Sequence, residues 1–336
     1  MRRTSRTQGL LSPLPVGIWL DFRDAPGSLP GPRTYAEQIA LAEHAEREGF
    51  SFALVSEHHA TADGYIPSPH LALAAIAART RRLLVGGGVA LAPLWPTRVL
   101  AEELSVLDLI SGGRALAGLG LGYAHADYEA MGADRSRRGH TLDAQLRQLT
   151  AAWRDAQPLD DGHPLTPPPV GDGPPIVLGG WVPKALERAA RHADVHFAAV
   201  RAGDSWRSFF RYRHRLAEAC AAAGGDVPLA MVGTHVWVLE DDEQWEREIA
   251  PAIAYQRDAY LSIFDGEARR VPPAPPREDV IAGTVEEVAR DLRELLDGGA
   301  DCLCIWARPP GVSHSTAQRN VTRIAREALP LALAGR

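Results

Sequence analysis

Apolar runs rich in valine, leucine and isoleucine alternate eight times with amphipathic stretches along this chain, and that alternation constrains the fold more than any single motif. The runs begin near Val16, Phe52, Leu83, Ala115, Ile176, Val195, Leu229 and Cys302. Between them lie helical patterns: Tyr35, Ile39, Ala42 and Ala45 closed by Gly49; Leu100, Leu104, Leu107 and Ile110 closed by Gly112 and Gly113; and Leu142, Leu146, Leu149 and Trp153. Thr284 with Glu287 forms a capping box ahead of Val288, Leu292 and Leu295, fixing a helix start shortly before the strand at Cys302. A helix between two strands returns the chain to the same end of the sheet, so the strands are expected to be parallel. Eight such units close most simply as one α/β domain over residues 1–336, a (β/α)₈ TIM barrel.

Three segments stand outside the repeat. Residues 1–14 read as a loose N-terminal arm. Residues 158–175 are rich in proline and glycine, and residues 264–277 hold Pro272, Pro273, Pro275 and Pro276, which supply no backbone donors. Both are longer than a routine connection, and a lid and a solvated spacer are open readings for each.

Composition excludes some partners. With 36 basic and 42 acidic residues the formal charge is -6, which leaves no surplus for a nucleic-acid backbone. The apolar stretch from Leu10 to Leu20 is interrupted by Pro13 and Pro15 and ends at Asp21, so no signal peptide or membrane anchor is expected. Cys220, Cys302 and Cys304 are too few for a disulfide framework, which favours the cytoplasm. Cys302 and Cys304 should point the same way from one strand.

Barrels of this kind place their chemistry at the carboxyl ends of the strands. The second strand ends in Ser56-Glu57-His58-His59, the third in Gly86-Gly87-Gly88-Val89, the fourth in Gly118-Leu119-Gly120-Leu121-Gly122, and the fifth in Gly179-Gly180. Three glycine clusters at one end suggest backbone approaching something flat, and a planar cofactor is the economical explanation. The Gly118 to Gly122 spacing resembles a dinucleotide fingerprint, but the acidic residue and the first βαβ context that such a site needs are absent. Gly179-Gly180-Trp181-Val182-Pro183-Lys184 leads into a helix whose free N–H groups suit an anion, and Lys184 there opposes the helix dipole unless an anion is present. His58 and His59 should point in opposite directions, and no third ligand is spaced for a metal, so no metal site is expected. A histidine at the barrel mouth suits proton transfer near neutrality, with a structural role open beside it. Trp19, Trp95, Trp181 and Trp306 are candidate linings for an apolar pocket.

Several of these stretches together resemble the bacterial luciferase-like monooxygenase family. They are Phe50 to His59, Pro96-Thr97-Arg98 with Ala101-Glu102-Glu103, Leu107-Asp108 with Ser111-Gly112-Gly113-Arg114, and Gly118 to Tyr123. Pro175 to Gly180 with Ala189-Ala190-Arg191, and Ala282-Gly283-Thr284 through Asp301, continue the likeness in the same order. The resemblance implies a luciferase-type TIM barrel in which reduced FMN, delivered by a separate flavin reductase, and dioxygen form a flavin C4a-hydroperoxide that oxygenates a small organic substrate. It also implies a homodimer. His58 matches the family's catalytic histidine, and Gly88-Val89 matches the position of a non-prolyl cis peptide under the flavin ring. Gly120, Leu121 and Gly122 match the strand end near the reactive flavin carbon, and Gly179, Gly180, Trp181, Val182 and Lys184 match the phosphate loop.

The chain also departs from the luciferase subunit. Gly120 stands where that subunit has a reactive cysteine and Leu121 where it has an arginine. Its phosphate loop has hydroxyls and a carboxylate where this chain has Gly179 to Pro183, so light emission from a long-chain aldehyde is not expected. Two alternatives within the resemblance are hydride transfer with a deazaflavin coenzyme and a non-catalytic flavin-binding subunit; retention of His58 speaks against the latter.

Overall fold

The computed structural model describes residues 16–201, 203–265 and 275–334, with side chains of 261–265 left aside. The arm at 1–14 and most of the 264–277 segment therefore lie outside the described residues. Eight parallel strands close on themselves: β1 (Val16–Leu20), β2 (Phe52–Val55), β3 (Leu84–Gly87), β5 (Ala115–Gly120), β6 (Ile176–Gly179), β7 (Val195–Ala199), β8 (Leu229–Thr234) and β11 (Cys302–Trp306). The order around the ring is β3, β2, β1, β11, β8, β7, β6, β5, and the β3–β5 pairing of Val85 with Ala115 closes it. A two-residue strand, β4 (Ala90–Leu91), prolongs the line of β3 and also pairs with β5. Two further short strands, β9 (Val236–Val238) and β10 (Ile281–Gly283), form a separate parallel pair.

The strands alternate strictly. Trp19, Phe52, Leu54, Leu84, Leu116, Val177, Val195, Phe197, Leu229, Met231, Cys302, Cys304 and Trp306 make one buried cluster within the ring. Their neighbours in sequence, among them Ile18, Leu20, Ala53, Val55, Val85 and Ile305, belong to the cluster that packs against the helices. This period of two, with both faces apolar, is what a sheet wrapped in helices requires. Cys302 and Cys304 point the same way, are buried and are unbridged.

Gly87 and Gly118 permit the closure. A Cβ on Gly118 would lie 1.8 Å from the carbonyl oxygen of Gly87, and one on Gly87 would lie 2.4 Å from that of Gly118. At these two positions the glycines make room for the chain itself, a role apart from the planar cofactor expected of the clusters.

The helical patterns fold as helices Pro32–Arg47, Thr97–Ser111 and Arg138–Asp155, and Thr284 caps Val285–Asp297 with Glu287 completing the box. Ile110 departs from its expected inward face and is half-exposed, because Leu107, Asp108 and Ser111 take the buried stripe. The 158–175 segment is irregular and packs along the outside of the barrel. Arg98 binds Asp161 and the carbonyls of His163 and Pro164, Val170 N–H donates to Asp108, and Gly173 rests on the Trp153 ring. Among the described residues no helix is long and apolar enough to cross a membrane.

Candidate active site

The end of β2 organises the barrel mouth through side chains that are all buried. Ser56 Oγ accepts the Trp19 indole N–H and donates to the Gly88 carbonyl at 3.2 Å. The Glu57 carboxylate accepts three donors: Leu91 N–H at 2.6 Å, Trp95 Nε1 at 2.9 Å and His59 Nε2 at 2.8 Å. Ser56 and Glu57 thus grip residues 88–91 from both ends, and within that segment the Gly88–Val89 peptide is cis. A Cβ on Gly120 would fall 2.3 Å from Val89 Cγ2, while at Gly179 the nearest Val89 atom would be 3.5 Å away. The Gly88–Val89 pair, Gly120 and Gly179, remote from one another in sequence, therefore meet around the Val89 side chain. Leu121 follows at the rim, where its carbonyl accepts the Tyr128 hydroxyl. Gly122 has a φ of 68°, the left-handed region, and lies beside Leu91.

His58 and His59 part company. His59 turns toward Glu57 and Trp95, whereas the His58 ring sits among Tyr65, Tyr123 and Tyr260, with centroids 4.9, 5.3 and 5.9 Å away. Asp127, fully buried on the short helix His125–Ala130 that follows β5, accepts from His58 Nδ1 at 3.0 Å and from the His59 backbone N–H at 2.7 Å. An ionised carboxylate only accepts, so Nδ1 carries a hydrogen and Nε2 is left with its lone pair. Nε2 lies 3.2 Å from the Tyr123 hydroxyl, whose pKa burial pushes well above the ordinary 10. Tyr123 keeps its proton, and the line Asp127–His58–Tyr123 can hold or move one proton at Nε2. Beside it Arg23 is bound by Asp21 and, at 3.0 Å, by Asp63, and its guanidinium lies under the Tyr65 and Tyr260 rings.

The Gly179 to Lys184 loop lies at the same end of the barrel. Gly180 has a φ of 126°, and a Cβ there would lie 2.7 Å from Ala185 Cβ, so its lack of a side chain is a demand of the loop itself. Its carbonyl is held by His196 Nε2 at 2.9 Å, and Trp181 stacks on Tyr212 at 4.0 Å. Val182 begins the helix Pro183–His192 without a side-chain cap, no acidic residue occupies the first turn, and Val182 and Lys184 are exposed. Arg188 of this helix reaches Asp143 and the Gly139 carbonyl, which ties it to the start of helix Arg138–Asp155. Arg135, bonded to the Tyr123 carbonyl, and Arg138, bonded to that of Arg135, add positive charge on the segment after β5. An uncapped helix start with Lys184, Arg135 and Arg138 nearby suits a phosphate, and the backbone around the Val89 side chain at the same end of the barrel carries no side chains at Gly88, Gly120 and Gly179.

Asp127, Tyr65, Tyr260, Arg135 and Arg138 were not expected at the site from the sequence, and Tyr123 entered only as the end of the Gly118 to Tyr123 stretch, with no role given to its hydroxyl. Asp127 lies 69 residues from His58, and only its place just after a strand end offered a signal. Of the candidate pocket tryptophans, Trp19 and Trp306 line the mouth, Trp95 braces Glu57 and Trp181 braces the loop. Among the described residues no three His, Cys, Asp or Glu side chains are grouped to hold a metal ion.

Buried His196 and largely buried His235 make the fold sensitive to acid. Burial pushes His196 down to about 4 and His235 to about 3, from an ordinary 6.5. Below pH 6.5 the unfolded chain takes up protons that the folded one refuses, so stability is full above that pH and falls as the pH drops toward 4. Urea midpoints should fall between pH 6.5 and 4, and His196→Gln should flatten that fall; an unaltered slope in the variant would sink the assignment.

Comparison with known proteins decides the family. The model of the luciferase-like monooxygenases matches residues 14–302. The chain belongs to this family. Among its relatives, the oxygenase component of the flavin-dependent trigonelline monooxygenase of Acinetobacter baylyi is 24% identical over 333 residues, covering 88% of this chain and 89% of that protein. The oxygenating constituent of the 3,6-diketocamphane monooxygenase of Pseudomonas putida, solved with FMN, is similar in fold, with a TM-score of 0.76 at 19% identity over 96% of this chain and 99% of that one. The coenzyme F420-dependent tetrahydromethanopterin reductase of Methanopyrus kandleri has a TM-score of 0.71 at 18% identity, covering 95% and 99%. Family membership makes this chain an oxidoreductase of the monooxygenase class and its barrel a luciferase-like TIM barrel, as the sequence led us to expect.

Proposed function

We propose that this chain is the oxygenase half of a two-component system, receiving reduced FMN from a separate flavin reductase and using dioxygen to oxygenate a small organic substrate. The observation that carries this reading is the Asp127–His58–Tyr123 proton line at the barrel mouth, which also contains the cis Gly88–Val89 peptide. Gly88, Val89, Gly120, Leu121 and Gly122 would lie along the ring, and Gly179, Gly180, Trp181, Val182 and Lys184 would surround the phosphate. Bound there, reduced FMN supplies the activation of dioxygen. His58 Nε2 would hold or release a proton at that point of the line, Asp127 fixes the tautomer that leaves Nε2 its lone pair, and the rings of Tyr65, Tyr123 and Tyr260 shield the site from water. The relative named as an oxygenase component supports a separate reductase.

A second reading is hydride transfer with a deazaflavin coenzyme. It has the shared fold of the coenzyme F420-dependent reductase behind it, while the monooxygenase relatives favour FMN. We also propose a cytoplasmic homodimer. Val99, Val106, Leu109 and Ile110 on helix Thr97–Ser111 and Leu71 on helix Pro69–Arg79 stand exposed, an apolar face that a second copy would cover.

A cofactor that travels from a reductase must exchange, so reduced FMN should bind more tightly than oxidised FMN. Lys184→Ala should weaken FMN by about tenfold or more and riboflavin much less, since a charge-assisted hydrogen bond is worth about 1.5 to 3 kcal/mol. Anaerobic titration of both flavins and both redox states tests this. Equal losses for FMN and riboflavin would move the phosphate away from the loop. Gly180→Val is a poorer probe, because the substitution would distort the loop before it blocked any ligand.

A further inference from the structure

Across the barrel from β3 and β5, at the ends of β8 and β11, three polar atoms are buried with no hydrogen-bond partner among the described residues. They are Trp306 Nε1, His235 Nδ1 and Gln256 Oε1. Trp306 ends β11, His235 follows β8, and Gln256 comes from helix Ala250–Asp265. They form one group. The His235 and Trp306 rings stack with centroids 5.5 Å apart and planes 14° from parallel, and the Gln256 amide lies beside His235 and donates to Asp21 at 3.3 Å. Trp306 and Gln256 are each more than nine-tenths buried. Tyr260 connects the group to the proton line, standing 5.6 Å from Trp306 and 5.9 Å from His58.

An orphaned buried polar atom costs about 1 to 3 kcal/mol, so a cluster of three needs a partner. Its chemistry is specific. The indole N–H only donates and the amide oxygen only accepts, while His235, kept neutral by burial, can do either. The charges nearby are matched: Arg23 is bound by Asp21 and Asp63, and Arg257 is offset by the fields of Asp204 and Asp279. The rings of Trp19, Trp306, Tyr260 and His235 pack around the group.

We propose that this group is the substrate-recognition pole, and that it takes a neutral, planar ring system carrying a carbonyl-type acceptor next to an O–H or N–H donor. A carboxylate or an unfunctionalised aliphatic chain does not match it. The inference rests on the mouth being the reaction site, with the flavin on the β3, β5 and β6 side, and it places the substrate opposite, within reach of His58.

Binding to the full chain without flavin, read by tryptophan fluorescence quenching, tests the pole with four probes. 2-Quinolone holds the acceptor and donor side by side; 2-methoxyquinoline keeps the bicycle and loses the donor; 2-naphthoate is anionic; decanal is aliphatic. A site built to pair such groups rejects analogues that leave them unpaired, so 2-quinolone should bind about tenfold or more tightly than the other three. Gln256→Met and Trp306→Phe should each shrink that preference several-fold. Equal binding of the two quinolines overturns the proposal, as does tightest binding of naphthoate, which would assign the pole to an anion held by Arg257. The comparison of probes on the unaltered chain stands even if a variant fails to fold. Failure of FMN to bind in its own titration would remove the oxygenase reading without touching this preference.

Discussion

His58→Ala should lower product formation by about 10² to 10⁴ while leaving the barrel and the flavin affinity nearly intact, because a positioned proton donor and acceptor contributes on that scale. The ring touches Asp127 and three tyrosines and holds no backbone segment in place, so its removal opens the proton line without breaking the Ser56 and Glu57 grip on residues 88–91. Uncoupled turnover should appear as hydrogen peroxide. Asp127→Asn should follow in the same direction and should also shift the pH profile, since an amide no longer dictates which ring nitrogen bears the hydrogen. His59→Ala should cost far less turnover, its ring being engaged with Glu57. Turnover unchanged in His58→Ala would reduce His58 to a structural residue.

Glu57→Ala should be the most damaging single substitution to the fold of the site, costing roughly 3 to 5 kcal/mol of stability. The carboxylate is the shared acceptor for Leu91 N–H, Trp95 Nε1 and His59 Nε2, all around a side chain that is 1% exposed. Deleting it strands those donors away from water and frees the chain just after the cis peptide. Glu57→Gln, which keeps one acceptor but turns an N–H toward a donor, should fall between. Chemical denaturation gives the answer directly, and a loss below 1 kcal/mol for the alanine variant would mean that water or rearrangement replaces the carboxylate.

The eight strands were legible because a parallel barrel buries both faces of each strand, which leaves continuous apolar runs such as Phe52–Val55 and Cys302–Trp306 between amphipathic helices. β9 and β10 were not, since three residues carry no period. The glycine clusters were visible, but the part that Gly87 and Gly118 play in closing the barrel was not, because it is a long-range contact that composition does not encode. His58 was found from its place at a strand end, and the resemblance marked Gly88–Val89. The partners that give His58 its direction lie at positions 123, 127 and 260, brought together only when the ring closes. The orphaned atoms of Trp306, His235 and Gln256 are likewise a property of packing.

A barrel that handles reduced FMN and dioxygen must change how the reduced flavin meets air. The most direct measurement mixes the chain with reduced FMN, and separately with a reduced deazaflavin, admits air, and follows the return of the oxidised absorbance. The chain should delay reoxidation of FMN relative to free reduced FMN, His58→Ala should shorten the delay, and the deazaflavin should be unaffected. Reoxidation of FMN at the same rate with and without the chain, with tight binding of the reduced deazaflavin instead, would contradict the oxygenase reading.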